Sequence, residues 1–171
     1  MILCSLSQNN SNLKDNNIKK EEPKKIMELD ILQNNILTNT YKYSYKINNL
    51  ALQTLEVYNG EISDGQDSGY YESKTEVFKY SCTLEKCYKV FTDHQEEYKM
   101  DNFALTYIIS TFELIKDVSP DIKLDENIKT YSYFVDVQGV DWEVVIKTSL
   151  EDITEIYLKT QKETYELKLE K

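Results

Sequence analysis

The side chains that could carry chemistry are few. The chain has one histidine, His94, in the polar turn DHQEE, and three cysteines, Cys4, Cys82 and Cys87. A hydrolytic zinc takes about three His, Cys or carboxylate ligands and keeps an open position. His94 stands alone, so it reads as a solvated turn residue. A Cys–His nucleophile pair would have to join Cys82 or Cys87 to His94, and nothing beside either thiol marks it as activated. Asp15, Glu21 and Glu22 fall in a polar run, and the acids of LEDITE lie on a turn and a strand edge. No carboxylate pair is therefore set out for glycoside hydrolysis. The four glycines form no phosphate-cradling loop. The residues predict no catalytic group, no metal and no cofactor.

Cys82 and Cys87 flank a short turn, C-TLEK-C, between two expected strands. In an exported protein they can face each other across the ladder and form a disulfide; in a reducing compartment they are small core residues. Fourteen tyrosines are the other unusual feature. Tyr41, Tyr43, Tyr45, Tyr131 and Tyr133 alternate with polar residues and read as core-facing. The doublet Tyr70-Tyr71 cannot place both rings on one face of a strand, so one of them is a candidate partner contact.

The elements that would position these groups are mostly strands. The chain from Tyr131 to Leu169 reads as four consecutive antiparallel strands: YSYFVDVQG, DWEVVIKTS, ITEIYLKT and TYELKLEK. Short polar links of hairpin length join them. Upstream, IMELDILQNNIL has helical spacing at Ile26, Leu29, Ile36 and Leu37, and TYKYSYKINN alternates as a strand. ALQTLEVYNGEI reads as its partner, with Asn59-Gly60 the turn signal. SDGQDSG is expected to be a loop. YYESKTEVFKYS and CYKVFTD are expected as strands, with EEYKM as a further candidate. FALTYIISTFELIKDV carries a wide apolar stripe, predicting a buried helix with Asp101 or Asn102 as N-cap and Pro120 as its stop. Residues 121–129 read as a polar connection. Helix, strands, core helix and strands again make an α+β chain: one long curved antiparallel sheet, an incomplete barrel, wrapped around a core helix.

Length and charge set the outer bounds. The 171 residues suffice for one domain with a real core. All 20 basic residues are lysine, and the formal charge is −10. Nucleic acid needs a basic footprint and is excluded; an acidic surface suits a basic protein partner, or serves solubility alone. Residues 1–30 are charge-balanced, so the whole negative charge sits on the remainder. The first 25 residues begin MILCSLSQNN and continue as Ser, Asn, Gln, Lys and Glu, a composition expected to stay disordered. Ile2-Leu3-Cys4-Ser5 looks like the end of a bacterial lipoprotein signal just inside its cleavage point. Cys4 would then be the lipidated residue, although Leu3 stands where a small residue is usual. The competing reading is an ordinary cysteine in a frayed terminus. The predicted organisation is a tether over 1–25 and one domain over 26–171.

A tether behind an apolar-Cys scrap, a short helix, a YKYSYKI-type strand, hairpins, a FALTYIISTF-type helix and the YSYFVDVQGVDWEVVIKTSLEDITEIYLKTQKETYELKLE ending together resemble the LolA/LolB-like lipoproteins. Within that family the lysine-only composition is similar to clostridial members that serve spore germination. The resemblance covers 26–171 as an order of elements without an invariant motif. It implies an incomplete barrel curled around helices, on a non-enzymatic protein that is lipid-anchored outside the cytoplasm, in the developing spore envelope. It implies as partner the zinc N-acetylmuramoyl-L-alanine amidase CwlD, which the protein would bind and activate in modifying cortex peptidoglycan. The chain departs from a lipid-carrying member in lacking any basic residue but lysine and any evident lipid-tail motif.

Two functions of different class follow. The first is an interaction protein docking through its acidic sheet surface or an open edge, with strand exchange into a domain-swapped homodimer as one form of it. The alternative is a carrier that holds lipid or another apolar molecule beneath the core helix.

Overall fold

In the computed structural model the described residues are 27–100, 102–149 and 152–171, with side chains from 29 onward. The expected tether, with Cys4, lies outside them. Helix α1 (Met27–Thr38) comes first, followed by strands β1 (Tyr41–Asn49), β2 (Thr54–Ser63), β3 (Gln66–Glu72), β4 (Val77–Cys82), β5 (Cys87–Val90) and β6 (Gln95–Glu97). Helix α2 (Ala104–Ile115) interrupts the strands. It is followed by β7 (Asp121–Asp125), β8 (Ile128–Val137), β9 (Val140–Ser149), β10 (Asp152–Lys159) and β11 (Glu163–Glu170).

All eleven strands form one antiparallel sheet in the order β6-β5-β4-β3-β2-β1-β11-β10-β9-β8-β7. Its end strands, β6 and β7, do not pair, so the sheet is open. The single non-local joint is β1 with β11, Lys42 opposite Glu170 through Asn49 opposite Glu163. Every other pairing is a hairpin, and the α2 crossover joins the two end strands, β6 and β7.

The sheet must curl. Helix α2 touches β2 and β3 on one arm and β8 on the other, with five strands between β3 and β8. Flat, those six steps would span about 29 Å at ~4.8 Å each, against a helix ~10–12 Å thick. Only a strongly coiled sheet meets the helix on both sides. The concave face holds Tyr41, Tyr43, Tyr45 and Ile47 of β1, Tyr131 and Tyr133 of β8, and Val144 and Ile146 of β9, all buried. Over them lie Leu105, Ile108, Phe112 and Ile115 of α2 and Leu29, Leu32 and Ile36 of α1, buried in the same cluster. The expected incomplete barrel around a core helix is what these residues form, with α1 added to the filling.

Several local expectations are corrected. Asn59-Gly60 is not a turn: it lies inside β2, Asn59 opposite Tyr70 and Gly60 opposite Gly69. A Cβ on Gly60 would stand 2.3 Å from the Ser68 carbonyl oxygen, and one on Gly69 2.3 Å from that of Asn59. The facing glycines let two backbones approach where no side chain fits. The turn is Asp64-Gly65, both at positive φ (49° and 73°), a two-residue hairpin of the Asp-Gly kind. SDGQDSG is therefore turn plus strand, and Asp67 is a strand residue. The stretch 70–81 is two strands, β3 and β4, because the Ser73 hydroxyl accepts from the backbone N–H groups of Thr75 and Glu76 and closes a turn. The connection 121–129 contains β7, which pairs with β8 through Ile122 opposite Tyr131. The α2 N-cap position is Phe103, with no side-chain cap of its own, in place of the expected Asp101 or Asn102.

Candidate partner-binding surface

The missing cap of α2 comes from across the fold. The Asp67 side chain, 0 % exposed on β3, accepts from the Leu105 backbone N–H at 3.0 Å through Oδ2. Its Oδ1 accepts from the Tyr80 hydroxyl at 3.2 Å and from the Tyr43 hydroxyl, and Tyr43 and Tyr80 bond each other. A carboxylate at a helix N-terminus satisfies an orphan donor and meets the positive end of the macrodipole. Burial nevertheless dominates, and it raises the Asp67 carboxyl from the usual range to about 6 against the opposing pull of those donors. The Tyr43 and Tyr80 hydroxyls are raised well above the ordinary phenol range, first by burial and then by the neighbouring carboxylate. The cluster is closed on all sides and pins α2 to the sheet. It faces no cleft that would admit a substrate.

Beside this node the concave face is aromatic from arm to arm. Tyr45, Tyr58, Tyr71 and Phe78 stand directly opposite one another across β1, β2, β3 and β4. Their ring centroids are 5.4, 5.0 and 4.8 Å apart in succession. Tyr107 of α2 stacks on Tyr45 at 4.7 Å and reaches Tyr165 of β11 at 6.0 Å, and Trp142 of β9 continues the row at 6.2 Å. At the other end Tyr98 meets Phe78 edge-on at 5.2 Å. Such pairs add about 0.5–1.5 kcal/mol each beyond area burial. Sequence pattern exposed the alternation but not this continuity, because cross-strand register is invisible in a single chain.

The residues singled out from sequence fall in separate places. Tyr70 and Tyr71 point to opposite faces of β3. Tyr71 packs against the core, whereas Tyr70 is 53 % exposed with the Lys79 ammonium 5.3 Å over its ring. Cys82 and Cys87 are partners in the β4–β5 ladder, with Cα atoms 4.1 Å apart and Sγ atoms at disulfide-bonding distance, 2.11 Å. His94 lies between Asp93 (2.7 Å) and Glu96 (3.3 Å) and stacks on Phe91 at 4.6 Å. Those acids raise its pKa from the usual value. It does not come together with either cysteine, since it is a terminal turn residue between β5 and β6. Of the LEDITE acids, Asp152 accepts from the Tyr41 hydroxyl and Glu155 pairs with Lys147 at 3.1 Å. Among the described residues no group of three His, Cys, Asp or Glu side chains is placed to hold a metal. No described helix is long and apolar enough to cross a membrane.

What remains is exposed apolar surface at the sheet's open end. Ile122 and Leu124 of edge strand β7 are 50 % and 73 % exposed on the concave side, and Phe134 of β8 is 69 % exposed on the convex side. An unpaired edge with apolar side chains offers both backbone and side-chain contacts to another chain.

The class that fold and surface define is an open, helix-filled antiparallel sheet with no assembled catalytic group among its described residues. No protein-family model matches the chain, and no curated protein matches it. Among solved structures it is similar to LprF from Mycobacterium bovis, at 7 % identity and a TM-score of 0.47, over 84 % of this chain and 90 % of that one.

Proposed function

We propose that the protein is a non-enzymatic, lipid-anchored interaction module of LolA/LolB-like type, acting outside the cytoplasm of a spore former. The particular protein it resembles is the germination lipoprotein GerS. On that reading it binds the amidase CwlD and raises its activity on cortex peptidoglycan, with Cys4 as the lipidated residue. The observation that favours an interaction module is the filling of the concavity. Leu105 and Ile108 of α2 and Ile36 of α1 are 0 % exposed against the sheet, so the space a carrier would keep for an acyl chain holds the protein's own side chains. The exposed apolar edge at β7 and the charge of −10 offer docking surface instead. A second copy could engage the same edge, giving the strand-exchanged homodimer.

The test is co-purification of the full chain with a clostridial cortex amidase, followed by light scattering and by assay of the amidase's zinc content and activity. A stable complex with raised amidase activity is expected. Absence of a complex, with lipid found in the purified protein by mass spectrometry, would overturn the proposal in favour of the carrier. A Cys4→Ser variant is expected to leave the domain folded and free of the membrane fraction.

A further inference from the structure

One end of the aromatic row is open. Tyr58, Tyr71, Phe78 and Tyr98 line a cleft of about 190 Å³ with Glu56 at its mouth. Glu56 accepts from the Tyr58 hydroxyl at 3.1 Å. The protein itself shows what such a wall takes. The Lys89 ammonium sits 4.2 Å from the Phe78 centroid and 4.2 Å from that of Tyr98, and it pairs with Glu76 at 3.4 Å. That lysine combines a carboxylate with the faces of two rings that also border the cleft. Beside Glu56 the half-buried Tyr71 supplies a ring, while Tyr58, 3 % exposed between Tyr45 and Tyr71, contributes its hydroxyl. Lys99 also borders the cleft, on its exposed rim.

We propose that this cleft is a recognition pocket for a basic side chain, a lysine or arginine presented by an extended segment of a protein partner. Ring faces attract a cation through their quadrupole, most strongly where water is partly excluded, and a carboxylate at the mouth adds direct charge complementarity. The domain's negative charge brings a basic segment toward it. Lys89, already on the faces of Phe78 and Tyr98, competes with a partner's side chain for those two rings. The pocket is independent of the amidase reading and would serve any partner with a basic segment.

The probe is a capped oligolysine peptide titrated at low salt into the isotopically labelled full chain, followed by amide chemical-shift perturbation. Shifts should concentrate at Glu56, Tyr58, Tyr71, Phe78 and Tyr98. Glu56→Gln should weaken the peptide roughly three- to tenfold, by loss of the charge partner. Lys89→Met, which frees two ring faces and Glu76, should tighten it. Glu61→Gln, on the opposite face of β2, should leave affinity unchanged and separates a pocket from general attraction. Shifts scattered over the convex face would overturn the proposal, as would equal weakening by Glu56→Gln and Glu61→Gln, or no tightening by Lys89→Met. Binding of choline without binding of the peptide would overturn the assignment to a protein segment. Amidase complex formation tests the proposed function separately, and neither result decides the other.

Discussion

Two carboxylates stand among tyrosines on the same concave face, and they do opposite things. Asp67 on β3 is buried and saturated, accepting from the Tyr43 and Tyr80 hydroxyls and the Leu105 amide. Glu56 on β2, at the margin of the same aromatic field, accepts from the Tyr58 hydroxyl and is partly exposed to solvent. The chemical parts are alike: a carboxylate, phenol hydroxyls, ring faces. Burial separates them. The enclosed acid has its lone pairs consumed by the fold and becomes a pin; the marginal acid keeps capacity for a partner. A carboxylate among aromatics is thus no site in itself, and its function follows from how many donors the fold has already supplied.

Removing the pin should have the largest effect. Asp67→Ala leaves the Leu105 amide and two buried hydroxyls without their acceptor, and is expected to lower stability by about 2–4 kcal/mol, read as a shift in the denaturant midpoint. An unchanged midpoint would mean that α2 does not need the contact. The next effect is in pH. Because the folded-state carboxyl is raised to about 6, the folded chain holds that proton more tightly than the unfolded one. The contribution is therefore fully present below about pH 4 and is lost as pH rises through about 6, a change on the order of 3 kcal/mol at most. Asp67→Asn keeps an acceptor and cannot titrate. It should flatten stability between about pH 4 and 6 while costing less than Asp67→Ala. A slope of the same size in Asp67→Asn would assign the proton elsewhere. Smaller still is Tyr43→Phe, which deletes one hydroxyl while Tyr80 still serves Asp67, and should cost about 1 kcal/mol in thermal or denaturant unfolding.

The two regions also differ in how far sequence reveals them. β1 and β8 to β11 were legible because their concave residues are Tyr, Val, Ile and Leu set against polar neighbours, so hydropathy alternation and burial coincide. Along β2 and β3 they do not. The inward residues there include Glu56, Gly60, Asp67 and Gly69, and the pattern dissolves where the structure is most specific. Two turn signals, Asn59-Gly60 and Asp64-Gly65, lie five positions apart, and local propensity cannot choose between them. The register chooses, because facing glycines at 60 and 69 allow a backbone approach that a Cβ would forbid. The turn at Ser73 carries no Gly or Pro and works by a hydroxyl accepting two amide protons, the device Thr83 and Thr160 repeat in their own hairpins. The α2 cap was missed for a different reason. Sequence reasoning looks one residue upstream of a helix for its acceptor, and here the acceptor lies 38 positions away. The proposed pocket shares that cause, since its rings come from β2, β3, β4 and the segment after β6.

The finest test of the comparison is therefore a variant that should barely register in stability. Glu56→Gln preserves an oxygen that can accept from Tyr58, removes one charge at a half-exposed position, and is expected to move unfolding by less than about 0.5 kcal/mol. If Glu56 were a second pin, its loss would destabilise the fold as Asp67→Asn does. If it is a marginal acid kept for a partner, its cost appears only when a lysine peptide is present. Measuring both variants by the same denaturant titration, with and without the peptide, places them on one scale. A Glu56→Gln chain that unfolds like wild type yet binds the peptide more weakly separates recognition from architecture on a single sheet face. One that unfolds early would make the two carboxylates the same kind of residue.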